Sequence, residues 1–150
     1  MCGIVGYVGK KDSVPIIING LHRLEYRGYD SAGIAVLGKN GIQHVKNAGN
    51  VSELSQLVDD SVINGSMGIG HTRWATHGEP NNINAHPHFD KTGKIALIHN
   101  GIIENYNSIK EALSKKGFEF QTETDTEVLV QLISEIYYSD GLNFEQSVQA

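Results

Sequence analysis

Ala32-Gly33-Ile34-Ala35-Val36-Leu37 and Ile42-Gln43-His44-Val45-Lys46 are two short apolar-rich runs joined by Gly38-Lys39-Asn40-Gly41. Runs of this length on either side of a glycine-bearing turn read as a β-hairpin, so the two strands are expected to be antiparallel. Upstream, Ile4-Val5 and Tyr7-Val8 lie between Gly3, Gly6 and Gly9 and read as a strand at the N-terminus. Ser13 is expected to cap a helix whose apolar face is Val14, Ile17, Leu21 and Leu24, with Pro15 tolerated in its first turn, where an N–H is spare. A polar, glycine-bearing link from Glu25 to Ser31 leads into the hairpin.

Downstream, Asn50 precedes a short helix with Val51, Leu54, Leu57 and Val58 on one face, and Met67 to His71 returns to strand. Residues 72–88 are the longest stretch without periodicity. Lys94 to His99 reads as a strand. Asn105 is expected to cap a helix carrying Tyr106, Ile109 and Leu113 that Gly117 stops. Thr124 and Glu127 predict a capping box ahead of Val128, Leu129, Leu132, Ile133 and Ile136. A last helix from Asn143 has only Phe144 and Val148 as apolar anchors before the sequence stops, so the chain is expected to be cut from a longer one. The pattern is a mixed α+β one.

The 150 residues suffice for one compact unit that buries roughly 70% of its unfolded surface. Glycine, at 17 residues, is in excess of ordinary usage and points to tight turns or close approaches to a ligand. Twelve Lys and Arg against 17 Asp and Glu leave a net charge of −5, which offers no basic field for nucleic acid or an anionic membrane. Cys2 is the single cysteine, so no internal disulfide is possible. No run approaches a membrane span, the start has no basic signal region, and a cytoplasmic location is expected.

Cys2 leads the chemistry by its position. If Met1 is removed, one residue holds both a thiol and a free α-amine with a reference pKa near 8, a nucleophile with its own base. An inert, partly buried thiol is the alternative. His71-Thr72-Arg73-Trp74-Ala75-Thr76-His77-Gly78-Glu79 is an aperiodic loop in which Arg73 offers a planar fork for a carboxylate and Trp74 a cover over a small molecule. A surface ion pair and a core anchor are the plainer readings of these two. In His99-Asn100-Gly101 a side-chain NH₂ and a backbone N–H are placed to hold an oxyanion, although Asn-Gly is also a common turn. Asp125 either favours its helix N-terminus or meets a ligand ammonium.

His71, His77, His86, His88 and His99 raise a metal reading, but only His86 and His88 are close in sequence and no metal-ligand spacing is present, so no metal site is expected. Gly3, Gly6 and Gly9 imitate a phosphate loop without the preceding strand or the following lysine.

Together Cys2-Gly3-Ile4-Val5-Gly6, Leu24 through Gly33, His71 through Pro80, Asn84-Ala85-His86-Pro87-His88, His99 through Tyr106 and Glu123-Thr124-Asp125-Thr126-Glu127 resemble the glutaminase domain of the class II glutamine amidotransferases. The hexosamine branch, the isomerising glutamine:fructose-6-phosphate aminotransferases, fits best. The resemblance implies an N-terminal nucleophile hydrolase fold, a four-layer α-β-β-α sandwich of antiparallel sheets. It implies Cys2 as nucleophile, Asn100 and Gly101 as oxyanion hole, and Arg73 with Thr76 and His77 as the grip on the glutamine α-carboxylate. It also implies Asp125 as acceptor of the α-ammonium, Trp74 as a mobile lid, and Arg27 and Gly28 near the nucleophile. No cofactor is implied. Residues 1–150 then correspond to the N-terminal portion of the glutaminase domain. The strands that close the sheets and the sugar-isomerase domains, through which fructose 6-phosphate is bound, lie beyond them, in a full-length form expected to be a homo-oligomer.

Overall fold

The computed structural model of the protein describes residues 2–75 and 78–150. Its main sheet has four strands, β1 (Gly3–Val8), β2 (Ser31–Gly38), β3 (Gly41–Asn47) and β4 (Met67–Arg73), in the order β1-β4-β2-β3. All neighbours are antiparallel, and the hairpin closes with Gly38 opposite Gly41, whose φ of 111° suits only glycine. The strand expected at 67–71 runs on to Arg73 because β2 pairs with it as far as Ser31 opposite Arg73.

Helices α1 (Ser13–Leu24) and α2 (Val51–Ser61) cover one face of this sheet. Ala32, Ile34 and Val36 of β2 point at Ile17, Leu21, Val51 and Leu54. Gly70 of β4 lets α1 lie close, since a Cβ there would come 2.4 Å from Ile17 Cγ2. Among the described residues this cluster has ten buried members and the other two have three each. At about 1.5–3 kcal/mol per buried aliphatic side chain, most of the hydrophobic stabilisation lies here.

The opposite face of the sheet meets a two-stranded sheet of β5 (His88–Phe89) and β6 (Ala96–Leu97). His44 packs on Phe89 with ring centroids 4.4 Å apart, and His71 stacks on His86 at 4.4 Å. Helix α4 (Asp125–Ser139) covers β6 through Val130 and Ile133, and α3 (Tyr106–Lys115) packs on α4 through Leu113 and Val128. The layers therefore run helix, sheet, sheet, helix. Buried Asp90 holds the β5–β6 turn by accepting from the backbone N–H groups of Thr92, Lys94 and Ile95, and it ties the turn to α4 through the Ser134 hydroxyl. A fifth helix, the short α5 (Phe144–Gln149), opens with a reciprocal capping box between Asn143 and Gln146.

Several local expectations are corrected. Asp12, not Ser13, caps α1, because its carboxylate accepts from Val14 N at 3.2 Å while Ser13 is buried in the first turn. The strand expected over 94–99 is only Ala96–Leu97, since β5 supplies a two-residue ladder and an unpaired backbone cannot extend it. Thr124 does cap α4, but the box is half-made: Glu127 reaches past it to Gln121 N and Thr122 N at 2.9 and 2.7 Å. Asn105 starts α3 without a side-chain bond, whereas Asn50 and Glu53 form a full box on α2. Ile4 and Val8 of β1 and Met67 of β4 are exposed. Among the described residues no helix is long and apolar enough to cross a membrane.

Candidate active site

The β1–β4 register puts Gly3 opposite Thr72, which brings Cys2 beside Arg73 and Trp74. Trp74 N donates to Cys2 Sγ at 3.2 Å, and the thiol reaches Trp74 O at 3.6 Å. Across from this strand end, Asn100 and Gly101 follow β6, and Asp125 opens α4. Cys2, Arg73, Trp74, Asn100, Gly101 and Asp125 line one cavity of about 250 Å³. A larger cleft of about 710 Å³ beside β3 and β5 holds none of these six and no thiol, so the smaller cavity is the candidate.

Arg73 is 4% exposed, and its Nη1 donates to Glu79 O at 3.4 Å. Burial lowers the guanidinium pKa, opposed by the charges of Asp30, Cys2, Asp125 and Glu123, and an arginine so placed still carries its charge. Asp30 shapes this corner: its backbone N–H donates to Arg73 O at 2.8 Å and its carboxylate accepts from Ala75 N at 2.6 Å. Asp125 is buried, with one carboxylate oxygen accepting from Ile103 N at 2.8 Å. The cavity therefore has a buried cation and a buried anion on separate walls, a pattern that suits a zwitterion.

Trp74 is 54% exposed at the rim, and Gly28, at φ 71°, lies against its ring, where a Cβ would be 3.6 Å from Cζ3. Arg27 ends a 3-10 turn and bonds the Tyr26 hydroxyl at 3.2 Å; neither Arg27 nor Gly28 lines the cavity. Thr76 and His77 lie outside the described residues.

His71, His86 and His88 form a stack of rings, and His71 and His86 also line the cavity. His86 lies between His71 and His88, in ring contact with both at 4.4 and 4.6 Å, and His88 Nε2 meets the Thr124 hydroxyl at 3.1 Å. Among the described residues no three His, Cys, Asp or Glu side chains are grouped to hold a metal ion. Burial pushes the pKa of His71 down to about 4 and of His88 down to about 3, helped by the charges of Arg73 and Lys46 respectively, and lowers that of His86 as well. These rings are neutral in the fold and bind protons only on unfolding. Their contribution is complete above the unfolded value of about 6.5 and declines as pH falls toward 4 and 3, by up to about 1.4 kcal/mol per pH unit for each ring. The carboxylates Asp90 and Glu123, held below their usual range, begin to matter only at lower pH. The urea midpoint is expected to drop between pH 7 and pH 5; an unchanged midpoint over that interval contradicts the neutral stack.

Asp30, Asn84 and Glu123 have structural roles at the site that their residue types alone do not announce. Each stood in a motif, but no spacing rule links positions 30, 84 and 123 to Arg73.

The family described as "Glutamine amidotransferase domain" matches residues 58–142, more than half of the chain. This chain belongs to that family. Glutamine–fructose-6-phosphate aminotransferase (isomerising) from Bacteroides thetaiotaomicron is 56% identical over 150 residues, covering 99% of this chain and 24% of the relative. The enzyme of the same name from Thermus thermophilus is 57% identical over 142 residues, covering 95% of this chain and 24% of the relative. The chain thus spans about a quarter of the length of these curated relatives. Among solved structures, the B. subtilis glutamine phosphoribosylpyrophosphate amidotransferase complexed with ADP and GMP superposes with a TM-score of 0.81 at 31% identity. That match covers 99% of this chain and 32% of the solved one. The amidotransferase domain accordingly has the α+β architecture of the N-terminal nucleophile hydrolases, and among the described residues its antiparallel sheets are open at their edges.

Proposed function

We propose that this domain hydrolyses the side-chain amide of glutamine, and that in the complete protein the ammonia serves to convert fructose 6-phosphate to glucosamine 6-phosphate. The observation that carries the reading is the convergence of Cys2, Arg73, Asp125, Asn100 and Gly101 on one cavity of about 250 Å³. The sugar half rests on the names of the relatives alone.

The roles follow from the groups. Arg73 pairs its planar fork with the α-carboxylate, and Asp125 accepts from the α-ammonium. The Cys2 thiol sulfur attacks the amide carbon as the α-amine freed by loss of Met1 takes the thiol proton. The Asn100 side-chain NH₂ and the Gly101 N–H stabilise the tetrahedral oxyanion, each donor worth about 10²–10³ in rate in well-measured cases. Collapse expels ammonia with the transferred proton and leaves a γ-glutamyl thioester. Water then attacks that thioester, releasing glutamate and restoring the thiol. Trp74, at the rim, closes over the bound amino acid and excludes bulk water.

Glutamine-dependent ammonia release by the complete protein tests this reading directly. Arg73→Lys is expected to raise the glutamine KM by about 10–100-fold, the equivalent of losing a charge-assisted bond of about 1.5–3 kcal/mol, because one ammonium cannot span both carboxylate oxygens. An unchanged KM removes Arg73 from the carboxylate grip.

A further inference from the structure

Arg73 and Asp125 stand on different elements, the end of β4 and the start of α4, yet a free α-amino acid presents carboxylate and ammonium on a single carbon. Their protein partners must therefore be held at one separation, and an error of about 1 Å is enough to cost much of the binding. Two side chains outside the cavity bridge the elements. Asn84, 2% exposed, donates through Nδ2 to Glu79 O at 3.0 Å and to Glu123 Oε2 at 2.9 Å, and its Oδ1 accepts from Glu123 N at 3.0 Å. Glu123 Oε2 also accepts from Glu79 N at 3.2 Å.

This pair reaches both clamps. Glu79 O is the same carbonyl to which Arg73 Nη1 donates, and Asp125 lies two residues beyond Glu123. Gly78, at φ 76°, presses the loop onto the pair so closely that a Cβ there would come 2.7 Å from Asn84 Nδ2 and 2.8 Å from Glu123 Cβ. The Asn84 and Glu79 bonds hold the Glu123 carboxyl below its usual range, so it is an anion throughout the neutral range and accepts both bonds at once. Closing the loop would need only one of these contacts. The reciprocal set fixes position 79 against position 123, and with it the distance between the two charged walls.

We propose that Asn84 and Glu123 are positioning residues that set the spacing of Arg73 and Asp125 and thereby the affinity of the site for a free α-amino acid. This rests on the reading of the site as a glutamine hydrolase.

Steady-state kinetics of the complete protein with glutamine separate the two claims. Glu123→Ala and Asn84→Asp, the latter setting a second carboxylate against Glu123, are expected to raise KM tenfold or more with kcat within about threefold. Glu123→Gln, whose Oε1 still accepts from Asn84 and Glu79, is expected to restore KM to within about threefold of the parent. KM unchanged in Glu123→Ala, an equal loss in kcat, or no restoration by Glu123→Gln overturns the positioning role. If Asn84→Asp does not fold, Glu123→Ala, at an exposed position, decides the matter alone. A parent protein that releases no ammonia above its Cys2→Ala variant overturns the hydrolase reading instead.

Discussion

Cys2→Ala is expected to lower glutamine-dependent ammonia release by at least about 10³-fold, while glutamine still binds. The asymmetry between rate and binding is the informative part. Removing the sulfur deletes the only nucleophile in the cavity lining that can form a thioester, but it leaves the Arg73 guanidinium, the Asp125 carboxylate and the Asn100–Gly101 corner in place. A residue that acts as nucleophile typically costs several orders of magnitude in kcat when deleted, and what remains comes from binding and oxyanion stabilisation. Alanine is also structurally mild here. The thiol is half-buried, and its contacts are to the backbone of Trp74 alone among the hydrogen bonds of the described residues. Ammonia release at the parent rate by Cys2→Ala would show that the thiol is a bystander. Glutamine affinity measured by calorimetry should remain within a few-fold, and a complete loss of binding would point to a collapsed cavity instead.

The second large effect is on stability. Gly33→Ala is expected to cost about 3 kcal/mol, the upper part of the range for overpacking, and to lower the melting temperature by about 6–12 °C for a chain of this size. A Cβ at position 33 would lie 2.0 Å from His86 O, a backbone atom, so relief requires the two sheets to separate. That separation would also pull His86 off His71 and shift β4 relative to Asn84, so the damage reaches the cavity wall. Gly6→Ala is the matched control: it replaces a strand glycine at which a Cβ meets nothing within 4 Å, and it should change stability by no more than about 0.5 kcal/mol. Equal melting temperatures for the two variants would contradict the close approach of the layers.

Much of the element order was readable because local rules act locally. The hairpin at Gly38–Gly41, α1 with its apolar stripe, α2 behind Asn50 and α4 behind Thr124 appear where periodicity and capping residues put them. The misreadings have one origin. Ser13 and Asp12 are both able caps, and which one serves depends on backbone geometry that residue type does not set. Glu127 has the spacing for a capping box with Thr124 but bonds Gln121 and Thr122, because the chain before α4 turns back over the helix start. The strand at 94–99 is apolar enough, yet strand length is decided by the partner, and β5 pairs with only two of its residues.

The candidate site divides along the same line. Cys2, Arg73, Trp74, Asn100, Gly101 and Asp125 stood out as residue types in unusual settings, and the family motifs joined them. Asn84 and Glu123 stood in the family motifs but were given no role, since an asparagine in a loop and a glutamate ahead of a helix are commonplace. The stacking of three histidines was equally hidden: the sequence spacing of His71 and His86 says nothing of their rings meeting at 4.4 Å.

By itself, the amino-acid order determined which segments coil and which two close a hairpin, where the one cysteine stands, and which charged groups could grip a small zwitterion, because those properties reside in single residues and their near neighbours. Only the tertiary structure decided that β4 and the start of α4 face one another across a single cavity, that Gly33 lies close against the His86 carbonyl of the second layer, and that Asn84 and Glu123 bond to each other beside the two walls. Those are distances between positions far apart in the chain, and they are set by the packing of whole layers, a quantity no local pattern carries.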